Sequence, residues 1–263
     1  MGDWPGSIMG GNKIEISYNS WQSGAANVKG AWGSIISATP YDGVLCGTIS
    51  PFTVGSYLAD IGVGSSGAEV TVLGNLLYSN AHENSQNNMF MSPLLIKRGS
   101  RVAVRIQSTS GSAWTDISLT VLPCGFMSDM QLCTTLGANT ADSGGTSIDP
   151  GPSAGTKGSW VQFSASLPHD VRAIMLAFGN QTNNDRRYSY WKIDVGITST
   201  PDSNIILSDF VARTYSFDDT IYPFFSPPLP VSIARGSQLH VRASCDITDP
   251  ADRLLDVALY AFV

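Results

Sequence analysis

Two stretches of this chain are nearly the same sentence. Ile96 to Arg105 reads Ile-Lys-Arg-Gly-Ser-Arg-Val-Ala-Val-Arg, and Ile233 to Arg242 reads Ile-Ala-Arg-Gly-Ser-Gln-Leu-His-Val-Arg. Each reads as a strand end, an Arg-Gly-Ser corner and a second, alternating strand. In the first, Val102, Val104 and Ile106 share a face, with Arg101, Ala103, Arg105 and Gln107 opposite. In the second, Leu239, Val241 and Ala243 oppose Gln238, His240 and Arg242. A period of two rich in β-branched residues predicts a half-buried strand, and glycine gives the corner its backbone freedom.

The echo extends over most of the chain and keeps its order. Lys29-Gly-Ala-Trp32 matches Lys157-Gly-Ser-Trp160, and Pro40-x-Asp42 matches Pro168-x-Asp170. Asp60-Ile-Gly-Val matches Asp194-Val-Gly-Ile, with Tyr57 or Tyr190 just upstream. Ser92-Pro93 matches Ser226-Pro227, and the runs Asp116 to Val121 and Asp256 to Ala261 close the two copies. The predicted fold is all-β, two tandem antiparallel sandwiches of jelly-roll type from an internal duplication. Residues 1–25 form an arm with a short strand at Lys13 to Tyr18, and 26–124 the first sandwich. Residues 125–155 form a connector or long loop, and 156–263 the second sandwich. Within the connector, Ser128 to Thr134 is the expected counterpart of the Lys13 strand.

Composition supports this and excludes several functions. Charged residues make up 14%, against roughly 25% in ordinary soluble domains, and there are 26 glycines. That mixture favours short strands and turns over helices. A net charge of −6, with no long basic run, excludes direct nucleic-acid binding. No stretch approaches the roughly 20 apolar residues of a membrane helix, and Met1 to Asn12 has the shape of no export signal. The four cysteines (Cys46, Cys124, Cys133, Cys245) lack zinc spacing, and free thiols from a reducing cytoplasm are expected.

Candidate chemistry is sparse. Asp60 and Asp194, with Arg105 and Arg242, are the repeated charges; duplication favours a structural role, a carboxylate pairing with a strand arginine, as for the repeated Trp32 and Trp160. His82, His169 and His240 have no echo, and no nucleophile elbow is present, so no catalytic residue is expected. Asp218, Asp219, Asp246, Asp249 and Asp252 lack ordered calcium-loop spacing, and the Gly62–Gly64 turn is no phosphate loop. No metal or cofactor is expected. The unechoed Trp4, Trp114 and Trp191 are the candidate contacts for glycan or a partner.

These motifs resemble a group of virion proteins of tailed bacteriophages. Those proteins combine Lys-Gly-x-Trp with an Asp-Ile-Gly-Val-Gly-x-x-Gly-x-Glu box and a Pro-Leu-x-Ile-x-x-Gly-Ser-Arg-Val-Ala-Val-Arg segment. The first copy carries the pattern through Asp60 to Glu69 and Pro93 to Arg105. The second departs from it at Thr198 and Gln238, and nothing there matches Glu69. The resemblance implies a non-enzymatic component of the particle, assembled in the host cytoplasm and released in the virion. Its expected place is capsid decoration or cement, or an auxiliary or tail-associated position. Expected partners are the major capsid or tail protein and further copies of the chain. The alternative is a tail or fibre adhesin for host-surface glycan; a glycan hydrolase is the remaining reading and needs paired carboxylates in a cleft.

Overall fold

The computed structural model describes residues 16–80, 88–123, 129–182, 189–215, 218–222, 224–248 and 253–263. The protein is all-β and sandwich-like; among those residues the only helical turn is a 3-10 turn at Pro201–Ser203. The first half contains β1 (Ser17–Gln22), β2 (Gly33–Ile36), β3 (Gly43–Pro51), β4 (Gly55–Val63), β5 (Val70–Asn80), β6 (Asn88–Ile96), β7 (Val102–Ser108) and β8 (Trp114–Pro123). They form two antiparallel sheets, ordered β1-β8-β3-β6 and β2-β7-β4-β5.

The second half contains β9 (Cys133–Leu136), β10 (Thr146–Ile148), β11 (Val161–Ser164), β12 (Val171–Thr182), β13 (Ser189–Ile197), β14 (Ile205–Tyr215), β15 (Asp218–Tyr222), β16 (Leu229–Ile233), β17 (Leu239–Cys245) and β18 (Leu254–Phe262). Its orders are β9-β18-β12-β16 and β11-β17-β13-β14, the same arrangement as the first half. Register corresponds as well: Asp60 lies opposite Arg105 and Asp194 opposite Arg242. Strand β15 has no counterpart among the described residues of the first half, and it joins the two sheets by pairing with β12 and β14.

Two boundaries differ from the sequence reading. Strand β1 pairs with β8 along its whole length, so 17–22 belongs to the first sheet and not to an arm. Strands β9 and β10 both pair with β18, which places most of the expected connector inside the second sandwich. β9 takes the place that β1 has beside β8, close to where the counterpart strand is expected.

The alternating strands are buried on both faces, a second departure from expectation. Ala103 is fully buried and Gln107 nearly so, although they oppose the core face of β7. The segment before β2 runs along the edge of β7, where the Gly30 N–H donates to the Ile106 carbonyl at 2.8 Å, and its Trp32 ring lies over that face against Gly62 and Arg105. A turn of the second half also seats there. Gln107 Nε2 donates to the Thr140 carbonyl (2.9 Å) and to Ser143 Oγ (3.0 Å), and Ser143 Oγ donates to Asn27 Oδ1 (2.8 Å).

The halves pack through unlike surfaces. Ala173, Met175, Ala177, Ala258, Tyr260 and Phe262 point out of the second sandwich and are buried in the core cluster of the first. Edge strand β5 lies across them. The buried Tyr260 hydroxyl donates to the Asn75 carbonyl and accepts the Leu77 N–H, both at 2.7 Å. Thr135 Oγ1 donates to the Gly74 carbonyl at 2.6 Å. Side chains of one half thus satisfy the unpaired backbone edge of the other, which otherwise would template pairing with foreign strands.

Candidate functional site

The repeated letters converge on one ion cluster in each half. Asp60 and Gly62 share a face of β4, and Arg105 faces Asp60 from β7. Asp60 Oδ2 accepts Arg105 Nε at 2.8 Å; Oδ1 accepts Lys29 Nζ at 2.9 Å and the Asn75 N–H at 2.8 Å. The Arg105 guanidinium lies over the Trp32 ring, 4.5 Å from its centroid, a cation–π contact. Trp32 in turn lies against Gly62, where a Cβ would come within 2.8 Å of the ring. That contact, and not phosphate binding, explains the glycine two residues after the aspartate.

The second cluster repeats these contacts. Asp194 accepts Arg242 Nε (2.9 Å), Lys157 Nζ (2.7 Å) and the Asp209 N–H (2.9 Å), and Arg242 stacks on Trp160 at 4.3 Å. Asn75 and Asp209 both take left-handed backbone, with φ of 52° and 55°, a conformation these residue types tolerate. Burial works against ionising Asp60 and Asp194. Around Asp60, Lys29, the Asn75 N–H and Arg105 outweigh it; around Asp194, the Asp209 N–H, Lys157 and Arg242 do. Both carboxyls are held below their ordinary range. Burial pulls the Lys29 ammonium below its ordinary value, with Asp60 opposing. In each half the aspartate itself is buried and paired with cations and a backbone N–H of its own half.

A further pair of carboxylates shares a role that the sequence reading did not single out. Asp116 of β8 accepts Ser20 Oγ at 2.6 Å, and Asp256 of β18 accepts Ser147 Oγ at 2.9 Å. Each ties the last strand of its half to a neighbour. The signal was available, since each is the third residue of the closing strand of its half.

The tryptophan candidates separate. Trp114 at the start of β8 is 44% exposed and is the one described candidate open to a ligand. Trp191 corrects the expectation: it is fully buried in the second core, because β13 is a central strand and this position points inward. Trp4, His82 and Cys124 lie outside the described residues, as do Asp249 and Asp252. His169 is exposed, while His240 is buried on β17. Asp246 is committed to the Tyr190 N–H at 2.8 Å. Among the described residues no cluster of ligating side chains fits a metal ion, and Cys46, Cys133 and Cys245 are free thiols.

Among the described residues, the outer face of β1-β8-β3-β6 presents an open apolar surface. Edge strands β1 and β6 raise large side chains there: Ile16 (just before β1) and Met89 are 71% and 70% exposed, with Tyr18 and Met91 alongside. Central strands β3 and β8 present Cys46, Thr48, Ser118 and Thr120. The result is a trough of about 360 Å³ with apolar walls and a floor of small residues.

No sequence-family model matches this chain, and no curated protein matches it. Among solved structures, two crystal forms of PNGF-II align with TM-scores of 0.43 and 0.45 at 8% and 7% identity. They cover 93% and 94% of this chain, which spans 65% of their length. A peptide-N(4)-(N-acetyl-β-D-glucosaminyl) asparagine amidase aligns at 0.40 and 8% identity, with 93% and 95% covered. An infectious bursal disease virus structure aligns at 0.28 and 11% identity, over 95% of this chain and 72% of that one. At these scores the likenesses carry no argument about activity.

Proposed function

We propose that this chain is a non-enzymatic structural component of a phage particle, a decoration or cement protein built from one duplicated sandwich unit. It assembles in the host cytoplasm and is released in the virion. The observation that carries this reading is the apolar trough on β1-β8-β3-β6. The corresponding face of the second half is covered within the chain, whereas this one ends in exposed Ile16, Tyr18, Met89 and Met91. Contiguous exposed apolar surface of this kind marks an interaction site, and a neighbouring virion protein or a second copy of the chain fills it. The repeated carboxylates support the non-enzymatic part. Asp60 and Asp194 each serve two cations and a backbone N–H in their own half, which leaves neither poised for proton transfer.

The test is mass spectrometry of purified particles from the phage that encodes the chain. The reading expects the chain in stoichiometric proportion to a major virion protein, and the double variant Met89→Lys, Met91→Lys strongly depleted from particles. Particles free of the chain would end the proposal.

A further inference from the structure

The two ion clusters differ in what lies beyond Arg105 and Arg242. In the second half the β13–β14 turn supplies Asp202, whose carboxylate accepts Arg242 Nη1 at 2.6 Å, and Asp209 adds a carboxylate 2.9 Å from Lys157. In the first half the β4–β5 turn supplies Glu69 instead, and Glu69 is committed to Arg101 at 2.8 Å, where the second half has Gln238. Asn75 stands in place of Asp209. The second cluster therefore sets two cations against three carboxylates, and the first sets Lys29 and Arg105 against Asp60 alone.

The missing carboxylates leave space. An open hollow of about 510 Å³ is lined by Lys29, Asp60, Thr71, Asn75, Arg105 and Thr140, among others. Its position corresponds to that of the Asp202 turn, since Thr71 pairs with Gly62 as Ile205 pairs with Gly196. Among the described residues Arg105 is hydrogen-bonded through Nε alone, and its side chain is 33% exposed against 17% for Arg242. Asp60 and Trp32 already fix the guanidinium, so little ordering remains when Nη1 and Nη2 meet a carboxylate.

We propose that this hollow is a docking site for an aspartate or glutamate carried on a turn of a partner protein. The incoming carboxylate takes the place beside Arg105 that Asp202 fills beside Arg242. A protein acid is favoured because the occupant of the sister place is an aspartate on a three-residue turn. The inference rests on the surroundings of Arg105 and holds whatever the chain assembles into.

The experiment follows the side-chain nitrogen signals of Arg105 in the whole chain while a peptide is added. The peptide copies this chain's own Thr198 to Asn204 segment, Thr-Ser-Thr-Pro-Asp-Ser-Asn. The expected result is saturable shifts at Arg105, with affinity roughly tenfold weaker or worse when the peptide aspartate is replaced by asparagine. Asn75→Asp, which copies the second half, should weaken peptide binding at least about tenfold while the melting temperature holds or rises. Asp202→Asn should make the Arg242 signals respond to the peptide as well. The proposal is overturned if Arg105 does not respond, if the asparagine peptide binds equally well, or if Asn75→Asp leaves binding unchanged. Sodium acetate binding as well as the peptide would reduce the site to a simple anion contact. Tighter binding of sodium glucuronate would make the occupant an acidic sugar; either result overturns a protein turn.

Discussion

Where the second sandwich carries Met175 and Tyr260 side by side on its outer face, the first carries Cys46 and Thr120. Where the second has Thr135 on its flanking strand, the first has the exposed Ile16 just outside β1. Large apolar groups on the central strands fill the second face and meet edge strand β5. Small groups in the centre with large ones on the rims make the first face concave and leave it open. One strand plan thus yields an internal joint or an external trough according to which strands hold the bulk. Burying Met175 or Phe262 contributes about 1.5–3 kcal/mol apiece, and the trough keeps that gain for a partner.

The ion clusters give the severest test of how far the halves diverge. Asp60→Asn leaves Lys29 and Arg105 without their carboxylate and should cost about 3–5 kcal/mol of stability. Asp194→Asn should cost less, because Asp202 and Asp209 remain beside Arg242 and Lys157. Denaturant unfolding of the two variants decides it, and equal losses would erase the distinction. Acid should show the shared part. The unfolded chain protonates both aspartates more readily than the folded one, so their contribution is complete above the ordinary aspartate pKa, about 3.9. It is lost as pH falls through the lower folded values.

The joint comes next in size. Tyr260→Phe strips the Leu77 N–H and Asn75 carbonyl of their buried partner and should cost about 1–3 kcal/mol. Thr120→Val, at the corresponding place on the open face, should stay within about 0.5 kcal/mol. Thermal melts of the pair measure the contrast directly.

A smaller effect belongs to His240, whose counterpart across β4 and β7 is Ala103. Burial lowers the His240 pKa, so the folded chain resists a proton that the unfolded chain takes up near pH 6.5. Stability present above that pH should decline as pH falls through it towards the folded value, by at most ~1.4 kcal/mol per pH unit. His240→Ala should flatten that decline in unfolding curves between pH 7 and 5. Smallest of all, Met89→Lys should leave monomer stability within about 0.5 kcal/mol. Its effect should appear in light scattering or particle incorporation, and an unchanged assembly would break the link between trough and partner.

Much of this was legible in the letters. The order of the repeat located nearly every strand, and the pairing of Asp60 with Arg105 follows from two charged residues at matched places on repeated strands. Alternation alone, however, reports only a strand's two faces, so Ala103 and Gln107 read as solvent-facing. Their burial depends on the Trp32 ring lying over that face and on a turn near Ser143 arriving from the other half. The depth of Trp191 was legible but overlooked: register makes Trp191, and not Tyr190, the counterpart of Tyr57, an aromatic three residues before the repeated aspartate in both halves and fully buried in each.

Leu77 and the tyrosine that caps its backbone are 183 residues apart in the chain. A ribosome working at about 5–20 residues per second needs roughly ten to forty seconds to cover that distance. Throughout that interval the nascent first sandwich holds out a bare strand margin with no lid of its own. Crowded polysomes making many copies at once are where such a margin meets strangers, and a chaperone or slow initiation would guard it best.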